Sequence, residues 1–214
     1  MPSFLVMEVI EQRLPQPAKL FDGDDAETLS ARLDQAEALW TQGRLIAARR
    51  LEEQVVAGRA RLFGRDHADT LKALGKLAVT MAAQGELAEA RRLQEEVVAG
   101  MRRLYGETGR DTLRAINNLA GTVARQGEVA GACAMLQSVI VAVASEHGEY
   151  DPDCLAAMGN LAGILWQAGD RDEAYELQRQ VVELRRRGRG DDDPATRVAA
   201  AVLDMMDRDS LNGS

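Results

Sequence analysis

Gly43, Gly85, Gly127 and Gly169 follow one another at intervals of 42 residues, and five positions after each stands an alanine: Ala48, Ala90, Ala132 and Ala174. A fixed period of this length makes the chain an array of repeated supersecondary units, none of which can bury its apolar face alone. In register the units run 27–68, 69–110, 111–152 and 153–194, and a half unit begins at Ala195. Leu29, Leu71, Leu113 and Leu155 form one further column, and Ala36, Ala78, Ala120 and Ala162 another. Val55–Val56, Val97–Val98, Val139–Ile140 and Val181–Val182 also align, and Gly64, Gly106, Gly148 and Gly190 close the units. Average residue usage matches a single column by chance only about once in ten to twenty trials, so agreement at this many columns is not coincidence.

Each unit reads as two helices. In 69–110 the apolar residues Leu71, Leu74, Leu77, Ala78 and Met81 recur at helical spacing, and Leu87, Ala90, Leu93, Val97, Val98 and Met101 form a second stripe. Gly85 lies between them, where a helix ends on a left-handed residue. The short side chains of Ala78 and Ala90 let the two helices approach closely. Asp151–Pro152–Asp153 and Asp193–Pro194 read as N-caps followed by a first-turn proline. No strand pattern interrupts this, and the fold class is all-α.

The run Ala-Ile-Asn-Asn-Leu-Ala from Ala115, the Gln84–Gly85 and Gln126–Gly127 turns and the Glu89–Ala90 and Glu173–Ala174 pairs resemble the tetratricopeptide repeat. The segment Phe63–Leu71 is similar to the inter-repeat segment of its kinesin light chain type. The resemblance implies a right-handed solenoid of helical hairpins over residues 27–208, with 195–208 as a capping helix. Against a usual period of about 34, the longer unit implies a lengthened second helix. Residues 1–26 read as an N-terminal helix (Phe4–Leu14, stopped by Pro15 and Pro17) and a linker, and 209–214 as a tail. Gln35 stands where later units have Leu77, Leu119 and Leu161, so the first unit is either a cap or covered by the N-terminal segment. That segment either caps its own chain, the favoured reading, or crosses to a second copy, which leaves a homo-oligomer open.

The chain has 214 residues, 46% of them hydrophobic and only 4% aromatic, so the core is built from Ala, Leu and Val. A net charge of −8 argues against nucleic acid, because phosphate contacts need a basic face. Cys133 and Cys154 fit no metal or redox spacing and read as reduced thiols. Glu8 interrupts the apolar stretch near the N-terminus, which is neither a secretory signal nor a membrane span; a cytoplasmic location is expected.

No catalytic, metal or cofactor site is expected, and the chain reads as a non-enzyme. His67 and His147 fall in inter-repeat loops and read as structural. The run Asp191–Asp193 reads as an N-cap with solvated neighbours, and Arg185–Arg187 as cations suited to a helix C-terminus. The surface that carries function is expected to be the concave one. By the resemblance, the first helix of each unit lines an inner groove there, which would bind a protein or peptide partner. Its exposed columns hold Lys72, Lys76, Arg114, Asn117, Asn118, Arg125, Asn160, Trp166 and Gln167. An asparagine amide donates to one main-chain group and accepts from another, which suits an extended peptide. The four cations favour an acidic segment or a C-terminal carboxylate. Trp40 and Trp166 share a column and serve either the groove or inter-helix packing. The alternative to a binding module is a self-assembling scaffold subunit, joined through Phe4–Leu14.

Overall fold

A computed structural model describes residues 25–212, and Phe4–Leu14 and most of the linker lie outside them. The described residues form nine helices and no strand: α1 Ala26–Thr41, α2 Leu45–Phe63, α3 Ala68–Ala83, α4 Leu87–Tyr105, α5 Arg110–Arg125, α6 Val129–His147, α7 Pro152–Ala168, α8 Arg171–Arg189 and α9 Pro194–Asn212. The first helix of each unit has 16 or 17 residues and the second has 19. Helix α9 runs to Asn212, past Arg208, where the sequence suggested a tail.

Each helix packs on its sequence neighbours. Beyond these contacts α3 touches α5 and α5 touches α7, so the first helices of successive units lie side by side along one face. The result is a right-handed solenoid of helical hairpins. One core runs its length, through Leu29, Leu71, Leu113 and Leu155 from the first helices and Val55, Val97, Val139 and Val181 from the second. Helix α6 is long and apolar enough to cross a membrane by length and composition. It nonetheless occupies the second-helix place of its unit, packed on α5 and α7.

Two kinds of glycine fix the geometry. Gly64 leaves α2 at φ 92° and ψ 164°, a conformation almost closed to residues with a Cβ, yet an added Cβ would meet nothing within 4 Å. The backbone angle alone demands glycine there. Gly100 is the reverse case: its backbone is helical, but a Cβ would come within 2.5 Å of Leu71 Cδ1, so close approach of α4 to α3 demands it.

The unit starts form a column of N-caps, Asp25, His67, Gly109, Asp151 and Asp193. His67 Nδ1 accepts from the Asp69 amide, and Asp193 Oδ2 from the Thr196 amide at 3.0 Å. Three residues further on, Thr70 donates its hydroxyl to the Gly64 carbonyl and Thr112 to the Gly106 carbonyl, both at 2.8 Å. Cys154 holds this place in the fourth unit, and its thiol meets only the Ile140 carbonyl at 3.9 Å. Gln35 is exposed among the described residues, on the first helix of the array.

Candidate partner-binding groove

Two adjoining cavities, of about 480 and 390 Å3, lie along the first helices. Trp40, Val79 and Asn118 line both. Lys72, Lys76 and Arg114 line the larger; Asn117, Arg125, Asn160 and Gln167 line the smaller. Eight of the nine residues singled out from the sequence therefore share one surface.

The exception is Trp166. It is half-buried against the core, with the Arg171 guanidinium 5.0 Å from its ring centre, and it lines neither cavity. The tryptophan at the groove is Trp40, 41% exposed at the end of α1. The two share a repeat column but not an environment, because a further hairpin packs beyond Trp40 whereas only α9 follows the hairpin of Trp166.

The cations also differ from expectation, since each is already engaged within the chain. Lys72 Nζ lies 2.8 Å from Asp111, Lys76 pairs with Glu37, and Arg114 Nε lies 2.8 Å from Asp153. Each of these acids belongs to a neighbouring unit, so the pairs form a ladder of ties between units. Hydrogen bonding to Asp111 raises the Lys72 pKa above its ordinary value. Arg125 donates to the Ala82 carbonyl, again across a unit boundary. Exposed pairs of this kind contribute little each, about 0–1 kcal/mol. Their effect here is to cancel the positive potential that an acidic ligand would need.

The amides are differently placed. Asn160 Nδ2 donates to Asn117 Oδ1 at 3.0 Å, which ties α7 to α5. Asn118 is exposed, and its side chain makes no hydrogen bond to any described residue. Gln167 is exposed at the end of the same strip.

A second column lies beneath them, Glu52, Gln94, Leu136 and Gln178, spaced by the repeat on the second helices, all at least nine-tenths buried and polar in every unit but the third. Thr80 donates its hydroxyl to Glu52 Oε1 at 3.0 Å, while Glu52 Oε2 is buried without a partner. Desolvation pushes the Glu52 carboxyl above its ordinary pKa, against the opposing hydrogen bond from Thr80. Gln94 is 2% exposed, and neither atom of its amide has a partner. Gln178 Nε2 donates to the Ala199 carbonyl at 2.8 Å. The signal for this column was in the sequence, three polar residues at the repeat interval on a face of core residues.

The hairpin turns carry their own clamps. Arg49 donates to Gln84, Glu86 and Glu53, and Arg91 to Gln126, Glu128 and Glu95. Cys133 takes the arginine's place in the third unit, so no such clamp joins it to the fourth. Both cysteines are free thiols, and burial raises the pKa of each. Asp191 pairs with Arg186, and no cluster of three or more metal-ligating side chains exists among the described residues.

A solenoid of stacked helical hairpins defines a class of scaffold, and sequence comparison identifies which one. The tetratricopeptide repeat model matches residues 27–103, 69–140 and 111–187, and the chain belongs to the tetratricopeptide repeat family. Among solved structures it is similar to a proposed kinesin light chain of nearly identical TPR-like repeats from Podosopora anserina. A singly substituted form of that protein is 29% identical, with a TM-score of 0.62 over 85% of each chain. A second structure of it is 28% identical, with a TM-score of 0.59 over 85% of this chain and 86% of that one. BtubC (BKLC) from P. vanneervenii, 19% identical, shares the fold at a TM-score of 0.63, over 86% of this chain and 73% of its own. No curated protein matches the chain by sequence.

Proposed function

We propose that this protein is a non-catalytic binding module that holds an extended segment of a protein partner along its concave groove. The observation that carries this reading is Asn118, an exposed amide with no hydrogen bond to any described residue, standing where the two cavities meet. Such a group can donate to a main-chain carbonyl and accept from a main-chain amide at once. Asn160 and Gln167 extend the same chemistry along the groove. An acidic ligand is not favoured, because Lys72, Lys76 and Arg114 already have carboxylate partners. The same pairing, with the net charge of −8, speaks against nucleic acid.

The test uses a peptide selected on the full chain from a displayed random library. Replacing Asn118 and Asn160 together by alanine should weaken its binding by about 1–3 kcal/mol, the scale of two lost hydrogen bonds, with helicity unchanged. Titration calorimetry and circular dichroism read the two quantities. Equal affinity for the double variant rejects the groove.

A further inference from the structure

The smaller cavity has a floor that packing does not explain. Gly121 and Gly163 sit one repeat apart in the interiors of α5 and α7, and both line it. Glycine is the poorest helix former after proline, so a mid-helix glycine calls for a reason. Neither has a positive φ, and an added Cβ at either would meet nothing within 4 Å. Neither backbone angle nor a neighbouring helix requires them. What they do is leave the groove wall bare over two successive units.

Gln94 lines the same cavity from beneath. It is 2% exposed with both amide atoms unpartnered, a costly state for a buried polar group. The fold does not need an amide at this place. One unit later the equivalent residue is Leu136, fully buried. Two units later Gln178 has the same side chain, but its amide nitrogen is satisfied by the Ala199 carbonyl. Gln94 therefore holds an unpaired amide, closed off from solvent, against a cavity that the two glycines also line.

We propose that Gln94, Gly121 and Gly163 form a subsite for the carboxamide side chain of an asparagine or glutamine in the bound segment. This rests on the groove reading and sharpens it from main-chain capture to recognition of one side chain. Once the Gln94 side chain turns its amide toward the cavity, a carboxamide is its complement, since the ligand NH2 donates to Gln94 Oε1 while its oxygen accepts from Gln94 Nε2. A carboxylate offers only acceptors and an ammonium only donors, so each would leave one Gln94 atom unpaired. The glycines give the entering side chain room beside the α5 and α7 backbones, and Asn118 and Asn160 hold the main chain above.

The experiment selects displayed random peptides on the full-length protein and on its Q94L, G121A and G163A variants. Each variant is also melted. Peptides selected by the unsubstituted protein should share an Asn or Gln at one position, and changing that residue to Asp should weaken binding at least tenfold. The G121A and G163A proteins should melt at a temperature equal to or above the parent, because alanine is the better helix former, yet bind the same peptide at least tenfold more weakly. The Q94L protein should lose the Asn/Gln preference. Parental affinity in all three variants, or a selection without an enriched carboxamide, overturns the subsite. If that affinity still depends on Asn118 and Asn160, the groove survives without the subsite. If no peptide is selected at all, both readings fall.

Discussion

Two single residues show how the repeat tolerates exceptions at a cost. Cys154 replaces a threonine whose hydroxyl, in the second and third units, closes the turn onto the carbonyl of the preceding glycine. A buried thiol is a poor substitute for a hydroxyl donor. Cys154→Thr should restore the bond to the Gly148 carbonyl and stabilise the protein by about 1 kcal/mol, read as a higher denaturant midpoint at constant slope. Gly109 is the opposite case. It takes the N-cap place held elsewhere by Asp or His, and capping preference alone would recommend Gly109→Asp for a gain of a few tenths of a kcal/mol. The geometry rules otherwise, because its Cβ would stand 2.5 Å from Tyr105 Cβ and 2.6 Å from the Tyr105 carbonyl oxygen. That contact involves backbone and cannot be relieved by turning a side chain. Gly109→Asp should lower the melting temperature; a rise would mean that the α4–α5 turn shifts freely.

At the scale of elements, the units are joined by pairs that cross from a second helix to the next first helix. Glu52 with Thr80 is polar, whereas the same places in the third and fourth units hold Leu136 and Ile164, both buried. Burial raises the Glu52 pKa, so the folded chain holds this proton more tightly than the unfolded chain does. Stability from this group is therefore highest at low pH. It declines as pH rises from the ordinary glutamate value of 4.5 through the raised one. Glu52→Gln keeps the acceptor for Thr80 and removes the ionisation. It should be more stable than the parent at pH 7, with the difference vanishing below pH about 4. An equal difference at both values would place its origin in packing instead. The helices themselves were legible from sequence, since every boundary carries a glycine or a cap that recurs in each unit. The groove was legible in part. Facing columns grouped Asn118, Asn160 and Gln167, and the structure lines one cavity with all three, because helical phase fixes which way they point. It could not show that Lys72 reaches Asp111 or that Arg114 reaches Asp153, since each acid lies in another unit 39 positions away. Nor could it show that Gln94, on a second helix, reaches the groove floor from below.

Over the whole molecule, cohesion is local. Each helix packs chiefly on its sequence neighbours, with the α3–α5 and α5–α7 contacts reaching further, so stability is close to a sum of unit and interface terms. The interfaces are not equivalent. Arg49 and Arg91 clamp the first two at the hairpin turns. The third lacks that clamp at Cys133 and is instead tied by Arg110 to Asp151 and Asp153, and by Arg114 to Asp153. Exposed ties of either kind are worth at most about 1 kcal/mol, so buried area should dominate the order of unfolding. Helices α3 to α6 have a unit on each side, whereas α1 and α9 each pack chiefly on one helix among those described. Amide hydrogen exchange should accordingly be slowest in α4, α5 and α6 and fastest in α1 and α9, with intermediate values between rather than a single global rate. Ending the chain after residue 152 removes α7, α8 and α9 and exposes Leu136, Val139 and Val143 on α6. Helicity per residue should persist in that shorter protein, with α6 becoming the new fast-exchanging edge while α2 to α4 change little. Uniform acceleration across α1 to α6 would show instead that the array unfolds as one cooperative block, held by contacts longer than those between neighbours.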